Sequence, residues 1–335
     1  MESSTEVIEV LKAIDLAKKS MKELKKRKFQ HKTAHLPGNR QEGNTYMNEV
    51  KFTDVEKPSF DLKGYSKAVR AISIAVAGKL NILAYGAPGC GKTMLLQSLI
   101  PYLTPCLTVE ELESVKRLYA LAGMEYNTDN APFRIPHQTA SIEGMCGGGP
   151  NIRPGEISLA HNGTLFLDEA AEFRTSVLQM LRVPLETKHI TLARAGRSTI
   201  FPANFQLAMA VNPCPCGNYG EKDKVCLCSA KSIEMYWKKF SAPLLDRIQI
   251  KIHVEKDESE TEIVSLEKLR EQIANAYRIQ REIGKFNRDL DLSGDRRKSN
   301  VEKVALTIAN MDNREFVEQC DIDEAEELVK KPFYL

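Results

Sequence analysis

Eight consecutive residues, Gly86-Ala87-Pro88-Gly89-Cys90-Gly91-Lys92-Thr93, fit the pattern G-x-x-x-x-G-K-[ST] at every fixed position. A short apolar run, Ile82 to Tyr85, leads into them, and Met94 to Ile100 continues with helical character. A loop in that setting aims backbone N–H groups inward, and the helix that follows turns its N-terminus toward an anion. It reads as a phosphate-binding loop. Lys92 would reach the β- and γ-phosphates, and the Thr93 hydroxyl would serve Mg²⁺, which takes few protein ligands and otherwise binds phosphate oxygens and water.

A second apolar strand, Thr164 to Leu167, ends in Asp168-Glu169, at the edge where a parallel sheet places its ligands. Asp168 is the candidate Mg²⁺ carboxylate. Glu169 is the candidate that orients and polarises an attacking water, because γ-phosphate hydrolysis needs an in-line nucleophile more than covalent chemistry. A third run, Gln206 to Val211, ends in Asn212-Pro213. Asn212 could hold the water or the γ-phosphate, or be a plain turn residue. Leu244-Leu245-Asp246-Arg247 precedes an alternating strand, Ile248 to Val254. Arg247 could form a structural ion pair with Asp246, or complete a neighbouring subunit's site as an arginine finger.

Cys214, Cys216, Cys226 and Cys228 form two C-x-C pairs separated by nine residues. In a reducing compartment such a cluster points to metal rather than to disulfides. Four thiolates can close a tetrahedral Zn²⁺ site and fold a loop too polar to bury itself. Reduced free thiols and an iron–sulfur cluster are the alternatives. Two hairpin-like segments carry positive tips: Glu143 to Glu156 with Arg153, and His189 to Ile200 with Arg194 and Arg197. These arginines could track a phosphate backbone or simply be solvated.

The elements that position these groups follow from pattern. The chain has 335 residues, with 47 basic and 45 acidic side chains and a net charge of +2, so a polyanion would be met by a local patch rather than by the overall field. No apolar run reaches the ~18 residues of a membrane span, and the start lacks a signal-peptide pattern, which predicts a cytoplasmic protein. Residues 1–50 read as a basic helix, over 5–28, and a linker. Residues 51–257 alternate strand and helix, which implies a parallel sheet covered by helices on its faces. An amphipathic helix is expected between Leu62 and Gly78, and another from Thr108 with Glu111 as a capping box. Residues 258–335 read as a helical unit, its last helix opening on Asp321 and Glu324. The histidines show no ligand spacing, and His161 and His189 read as structural or exposed.

With these residues assembled, the chain resembles the magnesium chelatase-like AAA+ ATPases, and within them the ComM/YifB-type competence and recombination proteins. The resemblance runs from about Phe52 to Val254, and more weakly to Leu328. It rests most on Gly147-Gly148-Gly149-Pro150 with Arg153-Pro154-Gly155-Glu156, on the Asp168-Glu169 strand, and on Asn212-Pro213-Cys214-Pro215-Cys216-Gly217. The resemblance implies an α/β fold: a five-stranded P-loop core, with a helix-two insert and a hairpin before the first sensor, followed by a helical lid. It also implies a ring, usually a hexamer, with ATP and Mg²⁺ between subunits. Asn212 would be the first sensor, Arg247 the arginine finger, and Arg296 the second-sensor arginine, while a second basic lid position of the family matches Leu306. The two inserts would line a pore, and ring formation would gather their arginines into a basic funnel for DNA.

ComM-type proteins are similar to hexameric helicases that move branched DNA, and the Cys quartet favours this group over chelatase motors. A protein-remodelling ATPase of the chelatase or MoxR kind, and an ATP-binding scaffold without motor activity, are the alternatives. The family pattern also leads one to expect a Lon-protease-like domain ahead of the motor, of which the first residues resemble only the tail helix.

Overall fold

The computed structural model describes residues 50–52, 55–194, 197–221, 224–260, 264–330 and 332. The helix and linker expected over 5–47 lie outside them.

The chain begins with α1 (Ser66–Gly78), β1 (Ile82–Tyr85) and α2 (Lys92–Leu103), then α3 (Val109–Ala122) and β2 (Phe133–Arg134). A short helix α4 (Ile142–Cys146) and a small hairpin, β3 (Gly147–Gly148) with β4 (Arg153–Pro154), lead through α5 (Glu156–Leu159) to β5 (Thr164–Leu167). After α6 (Thr175–Met180) and α7 (Arg182–Thr187), an antiparallel hairpin joins β6 (His189–Arg194) to β7 (Arg197–Pro202). Then come β8 (Gln206–Val211), α8 (Ala230–Lys238), α9 (Ala242–Leu245) and β9 (Ile250–His253). Three longer helices close the described chain: α10 (Leu266–Ile283), α11 (Arg296–Met311) and α12 (Gln319–Val329).

Five of the strands form one sheet in the order β2-β5-β8-β1-β9. Every pairing in it is parallel, with Ile82 opposite both Ala208 and Ile250, and Thr164 opposite Gln206. The apolar runs are continuous because β5 and β8 are covered on both faces. The two-residue period of a strand then divides each run between two cores. Ile82, Ala84, Phe166, Ala208 and Ala210 join one cluster with α1, α2 and the three C-terminal helices. Leu83, Leu165, Leu167, Leu207, Met209 and Val211 join the other, with Phe173, Phe205 and Trp237.

Three local expectations change. The helix expected to be amphipathic starts at Ser66 and buries its residues from Ala71 to Gly78 without a break. It is sandwiched: α2 lies beside it, and α10 and α11 close over it, so it has no broad solvent face. The cap of α12 lies earlier than read from sequence, on Glu318 with Asp321 as its reciprocal partner. Glu324 instead pairs with Arg70 of α1 at 2.9 Å, tying the C-terminal helices to the sheet domain. The box at Thr108 and Glu111 forms as expected. In the Gly-rich segment, Glu143 and Gly144 fall inside α4 rather than in open loop, since Ser141 caps that turn by accepting from Gly144 N.

Candidate functional site

Parallel topology brings the loops after β1, β5 and β8 to one edge of the sheet. The loop after β1 carries Gly86 to Thr93, with α2 starting at Lys92. Gly91 has φ 94°, and a Cβ there would come within 3.1 Å of the Tyr65 hydroxyl, so the position needs glycine for both conformation and space. Lys92 is buried, and its Nζ donates to the carbonyls of Gly86 at 2.8 Å and Ala87 at 2.7 Å. Burial pulls its pKa below the usual lysine value. The amine therefore rests on neutral backbone oxygens of its own loop.

Thr93 Oγ1 donates to Asp168 Oδ1 at 2.7 Å, joining the first helical turn after the phosphate loop to the end of β5. The Glu169 carboxylate accepts from Gln138 Nε2 at 2.7 Å, and Asp168 Oδ1 accepts from the Glu169 N–H at 3.0 Å. Glu169 has φ 46°, a left-handed conformation that a non-glycine residue holds only when its surroundings over-determine it. Asn212 follows β8, the strand between β1 and β5, so the topology sets it between the phosphate loop and the two carboxylates. Gln138 had no signal in the sequence, since it sits in a loop after the two-residue strand β2.

The loop after Asn212 holds the four cysteines. All are free thiols, and their Sγ atoms lie within 4.8 Å of one another. Cys214 is 3.3 Å from Cys216 and 3.7 Å from Cys226, and Cys216 is 3.5 Å from Cys226. The Asn218 backbone N–H, ahead of the neighbouring thiols, draws the Cys216 pKa down to about 6.

Two site residues read from sequence sit elsewhere. Arg247 precedes β9, at the opposite end of the sheet, where its carbonyl accepts from Asn81 Nδ2 at 2.7 Å just ahead of β1. Arg247, read from the sequence as a possible ion-pair partner of Asp246, pairs with Glu186 of α7, and Arg296, at the start of α11, reaches the other oxygen of the same carboxylate at 3.1 Å. Those bonds, Arg247 first, hold the Glu186 carboxyl below its usual range. One exposed glutamate thus gathers both arginines, a link between α7 and α11 that sequence spacing does not show.

The remaining basic candidates lie on hairpins. Arg153 is exposed on β4. Arg194 and Arg197 are opposite each other in the last register pair of β6 and β7, and the tip between them lies outside the described residues. His161 is structural, as read: its Nδ1 accepts from Asn204 N at 3.0 Å and its Nε2 is 3.1 Å from Ser114 Oγ. Burial lowers its pKa to about 4. Among the described residues no helix is long and apolar enough to cross a membrane.

Comparison with known proteins agrees with this arrangement. The chain is 43% identical over 198 residues to the competence protein ComM of Haemophilus influenzae, covering 58% of this chain and 38% of that protein. It is 41% identical over 198 residues to the uncharacterized protein YifB of Escherichia coli, with the same coverage of 58% and 38%. An uncharacterized protein of Mycobacterium tuberculosis is 41% identical over 199 residues, covering 58% of this chain and 39% of its own length. The chain thus spans well under half the length of these relatives. The family described as magnesium chelatase, subunit ChlI, matches residues 59–262, which take in the sheet, the phosphate loop and the cysteine loop. This chain belongs to that family and carries its AAA+-type ATPase domain, with a helical part following.

Proposed function

We propose that this chain hydrolyses ATP with Mg²⁺ at a site shared between neighbouring copies in a ring, and that the ring moves DNA. The observation that carries the reading is the convergence of Lys92, Thr93, Asp168 and Glu169 on one sheet edge, with Thr93 and Asp168 bonded at 2.7 Å. That pair offers two hard oxygens of the kind Mg²⁺ takes, and Mg²⁺ would neutralise charge on the β- and γ-phosphates. Lys92 exchanges its backbone carbonyls for phosphate oxygens. Glu169 orients and polarises the attacking water, and Asn212 faces the γ-phosphate. Arg247 and Arg296 act on a neighbour's nucleotide, because in their own chain they lie at the far end of the sheet.

The DNA reading rests on the identity to a competence protein and on three arginines, Arg153, Arg194 and Arg197, carried on two hairpins. In a ring such as a hexamer, these would face the pore and grip phosphates electrostatically. The Cys quartet is proposed to hold Zn²⁺. The family's chelatase description favours a second reading, a protein-remodelling ATPase. Steady-state ATP hydrolysis with and without single-stranded and forked DNA, at low and moderate salt, separates the two. Stimulation that fades with salt is the expected result. Hydrolysis indifferent to DNA at every salt concentration would favour remodelling.

A further inference from the structure

The cysteine loop touches the phosphate loop. Gly217, directly after Cys216, is buried with φ 79°, and a Cβ built there would stand 2.5 Å and 2.6 Å from the Cγ and Cδ of Pro88. The backbone of the cysteine loop therefore lies flat against the apex of the phosphate loop, with no room for a side chain between them. Burial dominates both neighbouring groups, lowering the Lys92 pKa and raising that of Cys90, and Glu221, further along the same loop, is close enough for its charge to act on both. The loop is one wall of the cleft in which phosphate would sit.

What holds that wall is limited. From Pro213 to Ser229 the described residues form no helix or strand; Val225 and Leu227 are 77% and 89% exposed, while Cys214, Tyr219, Cys226 and Cys228 pack on the core, so apolar burial fixes the segment only at those points. Its two ends are anchored. Trp237 of α8 donates from Nε1 to Pro213 O at 3.0 Å, and its ring meets Tyr85, the last residue of β1, edge to face at 6.5 Å. Between those anchors the four thiols are the feature that draws the loop together. A tetrahedral ion with Zn–S bonds of about 2.3 Å sets its sulfurs about 3.8 Å apart. The separations of 3.3 to 3.7 Å among Cys214, Cys216 and Cys226 lie near that spacing, and the Cys228 Sγ lies within 4.8 Å of the others. They are far too long for a disulfide, about 2.05 Å. A polynuclear iron–sulfur cluster, with thiolates on different irons, would spread them further.

We propose that the loop carrying Cys214, Cys216 and Gly217, joined through Cys226 and Cys228, is a metal-held wall of the nucleotide site, and that occupancy of the tetrathiolate site by Zn²⁺ sets the affinity of the phosphate loop for nucleotide. The inference rests on the zinc reading above. With the ion bound, Gly217 is pressed against Pro88 and the phosphate loop keeps its shape. Without it, the wall keeps its anchor at Pro213, its join to α8 and the partial packing of Tyr219, and Pro88 loses part of its support. Nucleotide affinity then falls by about tenfold or more, since small displacements of positioning groups have effects of that order.

Three measurements on the purified chain test this under reducing conditions. Elemental analysis reads bound metal, and exchange with Co²⁺ reads the thiolate-to-metal absorption of a tetrahedral four-sulfur site. Equilibrium binding of a non-hydrolysable ATP analogue is then compared between metal-loaded protein, chelator-stripped protein, and stripped protein given Zn²⁺ back. Finally, Gly217→Ala is assayed for both metal content and analogue binding. The expected result is one ion per chain, loss of affinity on stripping with recovery on zinc return, and a Gly217→Ala chain that keeps its metal while binding nucleotide at least about tenfold more weakly. Recovery on zinc return excludes irreversible unfolding as the cause. Absence of metal after incubation with Zn²⁺ would overturn the zinc reading. Metal bound, with affinity unchanged by stripping and by Gly217→Ala, would overturn the coupling and leave the zinc reading standing.

Discussion

At the phosphate-loop end of the sheet, charged groups rest on neutral partners: Lys92 on two backbone carbonyls, Asp168 on the Thr93 hydroxyl, Glu169 on the Gln138 amide. At the opposite end, charge meets charge within the chain. Arg247 and Arg296 share Glu186, and Lys79 pairs with Glu111 at 3.1 Å. Neutral partners are exchanged for phosphate and metal at little electrostatic cost, so the first end is arranged to receive a ligand. On the proposed reading the second end holds cations in reserve, and the strength of each hold decides which can leave. The side chains of Glu186 and Arg296 are 56% and 53% exposed, so their bridge is worth about 1 kcal/mol or less, whereas Arg247 is 14% exposed and also donates to Pro243 O at 2.6 Å. Arg288, by contrast, is buried and donates to the carbonyls of Lys79 and Phe205 and to Asn204 Oδ1, which fixes it as structure. Arg296 is the more loosely held of the two arginines on Glu186, and on the proposed reading a neighbour's γ-phosphate draws both from it.

Replacement of Arg247 makes the largest test of this contrast. Arg247→Ala is expected to lower ATP turnover about a thousandfold, the scale of an arginine finger, while the chain still binds nucleotide through its intact phosphate loop. Turnover within a few-fold of the wild type would break the assignment. At the other end, Glu169→Gln should keep ATP bound and lower turnover by about a hundredfold or more, as loss of a positioned proton-transfer group does. A stopped-flow or steady-state assay with a parallel binding measurement distinguishes the two steps.

The smallest effect concerns stability at the end opposite the phosphate loop. His161 lies just before β5, with a folded pKa of about 4 against an unfolded value of 6.5. The unfolded chain therefore takes up the proton first as pH falls. The stability tied to neutral His161 is complete above about pH 6.5 and is lost progressively toward pH 4, by about 2 kcal/mol between pH 7 and pH 5. His161→Gln should show a correspondingly shallower loss in urea unfolding over that range. An equal loss in both proteins would place the titrating group elsewhere.

Local signals carried most of this molecule. The phosphate loop, the acid-tipped strand β5 and the cysteine pairs were legible because their chemistry demands fixed spacing within one segment. So was the sheet, since its runs are continuous where two cores flank it. What sequence did not disclose are contacts between distant segments. Gln138 meets Glu169 across 31 residues, and Arg296 meets Glu186 across 110. No local period encodes either pairing. The same reason explains α1, whose residues follow a helical pattern while the helices that cover its outer side come much later in the chain. Nothing local in the sequence marks the contact of Gly217 with Pro88, and its need for glycine comes as much from that contact as from its own φ.

The most direct test of a shared site is to mix two inactive chains. Arg247→Ala keeps a complete phosphate end and lacks the finger, whereas Glu169→Gln keeps the finger and lacks the carboxylate. If one chain's arginine serves its neighbour's nucleotide, mixed assemblies contain interfaces with both groups intact, and ATP hydrolysis returns with a maximum at intermediate mixing ratios. If hydrolysis stays at the level of the separate variants at every ratio, while the two chains are seen to assemble together, the arginine does not act across the interface and the account is wrong.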